Sequence, residues 1–82
     1  MPTVLRFDGL RVAIYLNDHR PAHVHVFGHG REAVFILNCP DGPAGLQPSF
    51  GFTGPALRTI EAQLTRAVAR LCEAWETIHG DH

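Results

Sequence analysis

The stretch HVHVFGHGREAVFIL, residues 23–37, decides the fold, because two short alternating runs in it are joined by a glycine-rich turn. Side chains two positions apart on a strand point to the same face, so Val24 and Val26 belong to one face and His23 and His25 to the other. Glycine in the Gly28-His29-Gly30 turn supplies the positive φ that a tight hairpin requires. The stretch therefore predicts an antiparallel hairpin with a buried valine face and an outward histidine face.

Two more strands are expected before this hairpin. Thr3–Phe7 and Arg11–Leu16 are rich in β-branched and aromatic residues, and the turn pair Asp8-Gly9 separates them. Asn17 and Asp18 are interpreted as the turn that ends the second strand. In that strand the core face is predicted to carry Val12, Ile14 and Leu16, and the outer face Arg11, Ala13 and Tyr15. Four strands within residues 3–37 favour an antiparallel meander.

Residues 38–54 are predicted to form a crossing loop, because six prolines and glycines after Pro40 interrupt any regular element. Leu46, Phe50 and Phe52 are expected to anchor this loop in the core.

One long helix is predicted over residues 55–79. Thr53 or Gly54 can cap its start, Pro55 suits its first turn, and Gly80 can close its end. Its apolar side chains recur at intervals of three and four, which is typical of a helix with one buried stripe: Leu57, Ile60, Leu64, Ala67, Val68, Leu71, Trp75 and Ile78. The predicted fold is a single α+β domain over residues 1–82, a four-stranded antiparallel sheet packed on one long C-terminal helix.

Length and composition limit the class of protein. Eighty-two residues suit one domain, and the formal net charge of -1 with no lysine argues against a protein that holds nucleic acid by overall charge. No run is apolar and long enough to suggest a membrane span or a secretion signal, so a cytoplasmic protein is expected. Cys39 and Cys72 are accordingly expected to be reduced thiols.

A single helix layer covers only one face of a sheet, so the other face is open to solvent or to a partner. That face is predicted to carry Arg11, Tyr15, His23, His25 and Glu32. The fourth strand is apolar on both faces. One face carries Ala33, Phe35 and Leu37, and the other carries Val34 and Ile36 beside Glu32. It is therefore predicted to be central, or to be covered by the crossing loop or by a second copy of the chain in a homodimer.

One hypothesis for this face is metal-independent cleavage of RNA, a reaction that needs no cofactor. It needs a base, an acid and a cation for the phosphorane charge. We assign His25 as base or acid, His23 or Glu32 as its complement, and Arg6 or Arg11 as the charge stabiliser. Tyr15 completes the candidate set.

Two alternatives use the same surface. In a metal site His23 and His25 would share an ion, with His29 or His19 as a third ligand, since imidazole is a common ligand for zinc and copper. In a non-catalytic binding module the histidines would only contact a partner protein.

The sequence also resembles a known family. The opening Pro2-Thr3-Val4-Leu5-Arg6, the run Asn17-Asp18-His19-x-Pro21-x-His23-Val24-His25-Val26, the pair Glu32-Ala33 and a C-terminal helix with Trp75 are similar to the small bacterial domain of unknown function 4160 family. The resemblance implies a stand-alone bacterial protein with a small cognate partner protein, in an arrangement like a toxin–antitoxin module. Its recurrent polar positions match Arg6, Tyr15, His19, His23, His25 and Glu32. The crossing loop is longer and richer in proline and glycine than the family pattern.

Overall fold

The computed structural model describes residues 2–80 and contains an antiparallel sheet of five strands followed by two helices. Each strand pairs with its neighbours in the sequence, in the order β1-β2-β3-β4-β5. The elements are β1 (Thr3–Phe7), β2 (Leu10–Ala13), β3 (His23–Gly28), β4 (Arg31–Ile36), β5 (Gly45–Phe50), α1 (Gly54–Arg66) and α2 (Val68–His79). The α+β class and the antiparallel meander are confirmed, while the number of strands and helices differs from the prediction.

The fifth strand lies in the segment predicted to be a crossing loop. β5 pairs with β4 from Ile36↔Gly45 to Glu32↔Phe50, with a register shift between Ala33 and Phe35. The sequence of β5 shows no alternation, and Pro48 would interrupt a central strand, but an edge strand tolerates proline. β4 is therefore central, which was one of the interpretations of its two apolar faces.

The expected anchors of this segment behave differently from one another. Phe52 packs against the core as predicted, but Leu46 is 42% exposed and Phe50 is 73% exposed. The prediction for Leu46 and Phe50 is wrong because both belong to an edge strand whose side chains are mostly exposed.

The predicted long helix is divided into two. Ala67, with φ -101° and ψ 8°, separates α1 from α2. Alanine is the strongest helix former, so its residue type does not indicate a break. The ends agree with the prediction, because the Thr53 hydroxyl accepts a hydrogen bond from the backbone N–H of Ala56 at 3.2 Å, and Gly80 ends α2 with φ 88°.

The core lies between the helices and one face of the sheet. Val24 and Val26 of β3 are fully buried there, together with Phe35 of β4 and Trp75 of α2. Leu16, predicted to join this face, is 68% exposed because β2 ends at Ala13 and the chain turns away. Ala13, predicted to face outward, is fully buried and lies between Thr3 and His25 of the neighbouring strands.

The two cysteines are joined in a disulfide between Cys39, in the β4–β5 connection, and Cys72 of α2. The expectation of reduced thiols is therefore corrected. Cys39 lies in the segment that was predicted to be a crossing loop, whereas Cys72 lies on the buried face of α2. Within residues 2–80, no helix combines the length and the hydropathy needed to cross a membrane.

Removing the disulfide should destabilise the fold. Closing a loop between residues 33 positions apart restricts the unfolded chain, and for that length the entropic model gives about 3–4 kcal/mol. We expect Cys39→Ser/Cys72→Ser to lose about this much free energy of unfolding in urea titrations. Detection of two free thiols per chain in protein that has not been treated with reductant would contradict the bond.

Candidate functional site

The turn between β2 and β3 holds the carboxylate of Asp18 in place. The backbone N–H of Asp18 donates to the carbonyl of Tyr15 at 3.1 Å, and the N–H of Tyr15 donates to Asp18 Oδ2 at 3.0 Å. These two bonds form a closed local structure of the kind that aspartate favours in turns. The turn alone therefore holds the carboxylate of Asp18 in position, without needing a contact to the sheet.

His23 and His25 meet this carboxylate from the start of β3. His25 Nε2 lies 3.1 Å from Asp18 Oδ2, and His23 Nε2 lies 3.4 Å from Asp18 Oδ1. One donor atom from each of the three side chains falls within 4.8 Å of the others. The side chains are 12–19% exposed, so the group is largely shielded but still reachable from solvent. We call these three residues the Asp18 cluster.

The ring of His23 has a defined orientation. Its Nδ1 lies 2.9 Å from the carbonyl oxygen of Pro21, which can only accept a hydrogen bond, so Nδ1 carries a hydrogen. In a neutral ring the lone pair is then on Nε2, and Nε2 is the atom that faces Asp18. A lone pair that faces a carboxylate oxygen is favourable only with a positive charge between them, either a second ring proton or a bound cation.

His25 is held between two carboxylates. Its Nε2 faces Asp18, while its Nδ1 is fully buried, has no hydrogen-bond partner among residues 2–80 and lies 3.8 Å from Glu32 Oε2. The Tyr15 ring packs against the imidazole with centroids 4.1 Å apart. Neither ring nitrogen of His25 is therefore directed to open solvent.

The end of α2 supports the cluster from behind. Trp75 is fully buried, with its ring centroid 5.3 Å from that of His23 and 4.3 Å from that of His79. His79 Nε2 donates to the carbonyl of Tyr15 at 3.0 Å. The sequence analysis used Trp75 as part of the helical stripe and of the family resemblance, and sequence spacing gives no signal that α2 reaches this turn.

Of the remaining predicted site residues, Tyr15 and Glu32 lie beside the Asp18 cluster, whereas the two arginines have other surroundings. Tyr15 contacts the cluster through His25, and Glu32, which is 54% exposed, approaches His25 from β4. Arg11 instead lies over the Phe27 ring at 4.7 Å and donates from Nε to the Thr3 hydroxyl at 3.3 Å. Arg6, opposite Arg11 in β1, is exposed.

The phenol of Tyr15 is neutral at ordinary pH. Burial raises the pKa of its hydroxyl, the carboxylates of Glu32 and Asp18 raise it further, and Arg11 partly opposes them. Tyr15 is therefore a packing and hydrogen-bonding group in this site and not a base.

The histidines considered as a third ligand lie elsewhere. His29 is in the turn after β3, at the opposite end of the strand from His23, and approaches Gly9 of the β1–β2 turn. His19 lines a surface depression together with Asp18, Trp75 and His79, but it is not part of the donor group. The third donor is the carboxylate of Asp18, which the sequence analysis interpreted only as a turn residue. Its position three residues before Pro21, in the run that leads to His23, was the available signal.

The orientation of His23 can be tested by its tautomer. Long-range ¹H–¹⁵N NMR spectra should show a hydrogen on Nδ1 of His23 in every protonation state, because the Pro21 carbonyl accepts it. A neutral His23 ring with its hydrogen on Nε2 alone would contradict this geometry.

Comparison with known proteins gave one match. The family model described as Domain of unknown function (DUF4160) matches residues 9–76, which begin after β1 and end within α2. Searches of curated proteins and of solved structures found no significant match. The matched segment includes the whole Asp18 cluster and covers most of the sequence, so the chain belongs to the domain of unknown function 4160 family.

Proposed function

We propose that this protein binds one divalent transition-metal ion through Asp18, His23 and His25, and that it acts as a component of a bacterial toxin–antitoxin-like module. The observation that carries the metal proposal is the convergence of two imidazole nitrogens and one carboxylate oxygen within 4.8 Å. Two histidines and one carboxylate are a donor set found in catalytic zinc sites and in non-haem iron sites.

The distances within the cluster suit a shared ion. Donor atoms about 2.0–2.2 Å from one ion lie roughly 3–3.5 Å from each other in tetrahedral or octahedral geometry. From Asp18 Oδ1, the distances to His25 Nε2 and His23 Nε2 are 3.3 and 3.4 Å. An ion at this position would also supply the positive charge that the lone pair of His23 Nε2 and the Asp18 carboxylate require.

The ligands are oriented by groups outside the cluster. A metal-binding histidine usually donates its other N–H to a carbonyl or a carboxylate, which fixes the ring and the tautomer. His23 Nδ1 has such a partner in the Pro21 carbonyl, and Asp18 is held by the N–H of Tyr15. With Nε2 of His25 on an ion, its Nδ1–H would face Glu32, 3.8 Å away. The orphaned nitrogen of His25 would then have a partner after a small movement of Glu32.

The metal-independent ribonuclease uses the same side chains in another way and stays a prediction. A general base must reach the proton that it removes, directly or through one water molecule. His25 Nδ1 is buried and its Nε2 faces Asp18, so the present orientation suits a ligand better than a base. Three protein ligands leave a coordination position for water, which a bound zinc ion would activate for hydrolysis.

The module and the cognate small protein are supported by the features of the family given above, while an action on RNA is supported only by the histidine, glutamate and arginine side chains predicted on the open face. A bacterial cytoplasmic location belongs to the same proposal. Because thiols are kept reduced in that compartment, the function would require a chain that stays folded after the bond between Cys39 and Cys72 is broken.

Metal binding can be measured on purified, untagged protein. Titration with Zn²⁺ in a calorimeter, and with Co²⁺ followed by its visible absorption, should give one equivalent per chain. Asp18→Asn keeps an oxygen that can accept from Tyr15 N–H but removes the charge. We expect this variant and His23→Gln to lose at least roughly 100-fold in affinity, the upper end of what losing an outer partner costs.

The matched control is His29→Gln, which removes an imidazole at the other end of β3. It should bind Zn²⁺ like the wild type, and circular dichroism of each variant checks that the fold is retained. An equal loss of affinity in His29→Gln and His23→Gln, or no stoichiometric binding by the wild type, would contradict the site.

A toxic activity can be tested by inducing wild-type protein and Asp18→Asn in bacterial cultures at matched soluble levels. If the cluster performs the activity of a toxin, only the wild type should arrest growth, and RNA from the arrested cells should show cleavage. Growth arrest by both proteins would mean that the toxic activity does not depend on the Asp18 cluster. Normal growth with both would contradict a toxin role and favour the neutralising partner.

A further inference from the structure

A second concave surface lies between β1 and the junction of the two helices. It has a volume of about 450 Å³, and none of its residues belongs to the Asp18 cluster. Arg6 extends from β1, Arg66 ends α1, and Arg70 lies in the first turn of α2. We call this surface the arginine groove; it is also lined by Leu5, Phe7, Gln63, Ala67 and Ala69.

The groove concentrates uncompensated positive charge. It contains three of the seven basic residues of a chain whose net charge is -1, and none of the acidic residues between positions 2 and 80 lines it. All three arginines are exposed, and none forms an ion pair within residues 2–80. Arg66 and Arg70 lie on either side of Ala67, at the end of α1 and in the first turn of α2, and both line the groove. An anionic ligand would neutralise these charges.

The lining combines these charges with apolar surface. Phe7 and Leu5 are only partly buried, and the Gln63 amide adds a hydrogen-bonding group. Surfaces that bind single-stranded nucleic acid combine a positive groove along the backbone with aromatic side chains on which bases stack. Arginine donates paired hydrogen bonds to phosphate oxygens, which suits it to this role.

We propose that the arginine groove binds the phosphodiester backbone of single-stranded RNA, with a base against Phe7. An acidic peptide would satisfy the guanidinium groups but would make no use of the aromatic ring, so the lining favours nucleic acid. The proposal uses neither the Asp18 cluster nor a bound metal.

The test is fluorescence anisotropy of a labelled 12-nucleotide single-stranded RNA of mixed sequence, measured at several salt concentrations. The wild type should bind, with an affinity that falls as salt rises. Arg66→Gln/Arg70→Gln should reduce the slope of log K against log [salt] by about 1.4, since each phosphate contact on a single strand contributes ~0.7. At 50 mM salt the affinity should fall on the order of 10- to 100-fold.

The charge-matched control is Arg31→Gln/Arg58→Gln, which removes two exposed arginines outside the groove. It should keep the wild-type slope. Phe7→Leu should weaken binding and leave the slope unchanged, because it removes stacking and no charge; circular dichroism checks that each variant is folded.

Three results would overturn the proposal: no RNA binding by the wild type at 50 mM salt, equal losses in the two arginine double variants, or binding of poly-glutamate but not RNA. The last would reassign the groove to an acidic protein partner. A labelled DNA strand of the same sequence shows whether the sugar contributes. The same titration with and without Zn²⁺ keeps this result separate from the metal proposal, because the groove should bind RNA in both.

Discussion

The burial of Val24 and Val26 against the helices is the constraint on which the rest of the site depends. Alternation along β3 leaves no freedom once these two side chains are in the core, so both imidazoles stand on the other face. A slip of one residue would expose the valines and bury the histidines, which is unfavourable on both counts. The hydrophobic core thus determines on which face of the sheet the two imidazoles lie, although no core atom is a donor in the site.

The site combines local and distant elements. Asp18 is positioned by its own turn, through two hydrogen bonds with Tyr15 that need no other part of the fold. Trp75 and His79 come from the other end of the chain and close the rear of the cluster. The donor atoms are therefore arranged by short-range bonds, and their shielding from solvent depends on the docking of α2.

Four strands, the helix ends and the outward histidine pair could be predicted from the sequence, because each has a periodic or capping signal that depends on nearby residues. β5 could not, since its residues gain strand geometry from pairing with β4 and not from their own alternation. Ala67 carries no signal of a break, and the contact of Cys39 with Cys72 depends on how the β4–β5 connection crosses α2. Asp18 was interpreted as a turn residue. It has that role in the structure, and its carboxylate also faces the two imidazoles.

The meander order of the sheet has a consequence for how the protein folds. Because every strand pairs with its sequence neighbour, sheet formation closes only short loops and the contact order of the sheet is low. Asp18 lies within one of these short connections, between β2 and β3, and His25 follows seven positions later in β3. The donor group can therefore assemble with the β2–β3 hairpin, before the helices dock, and a cation that binds there would favour the hairpin at an early stage of folding.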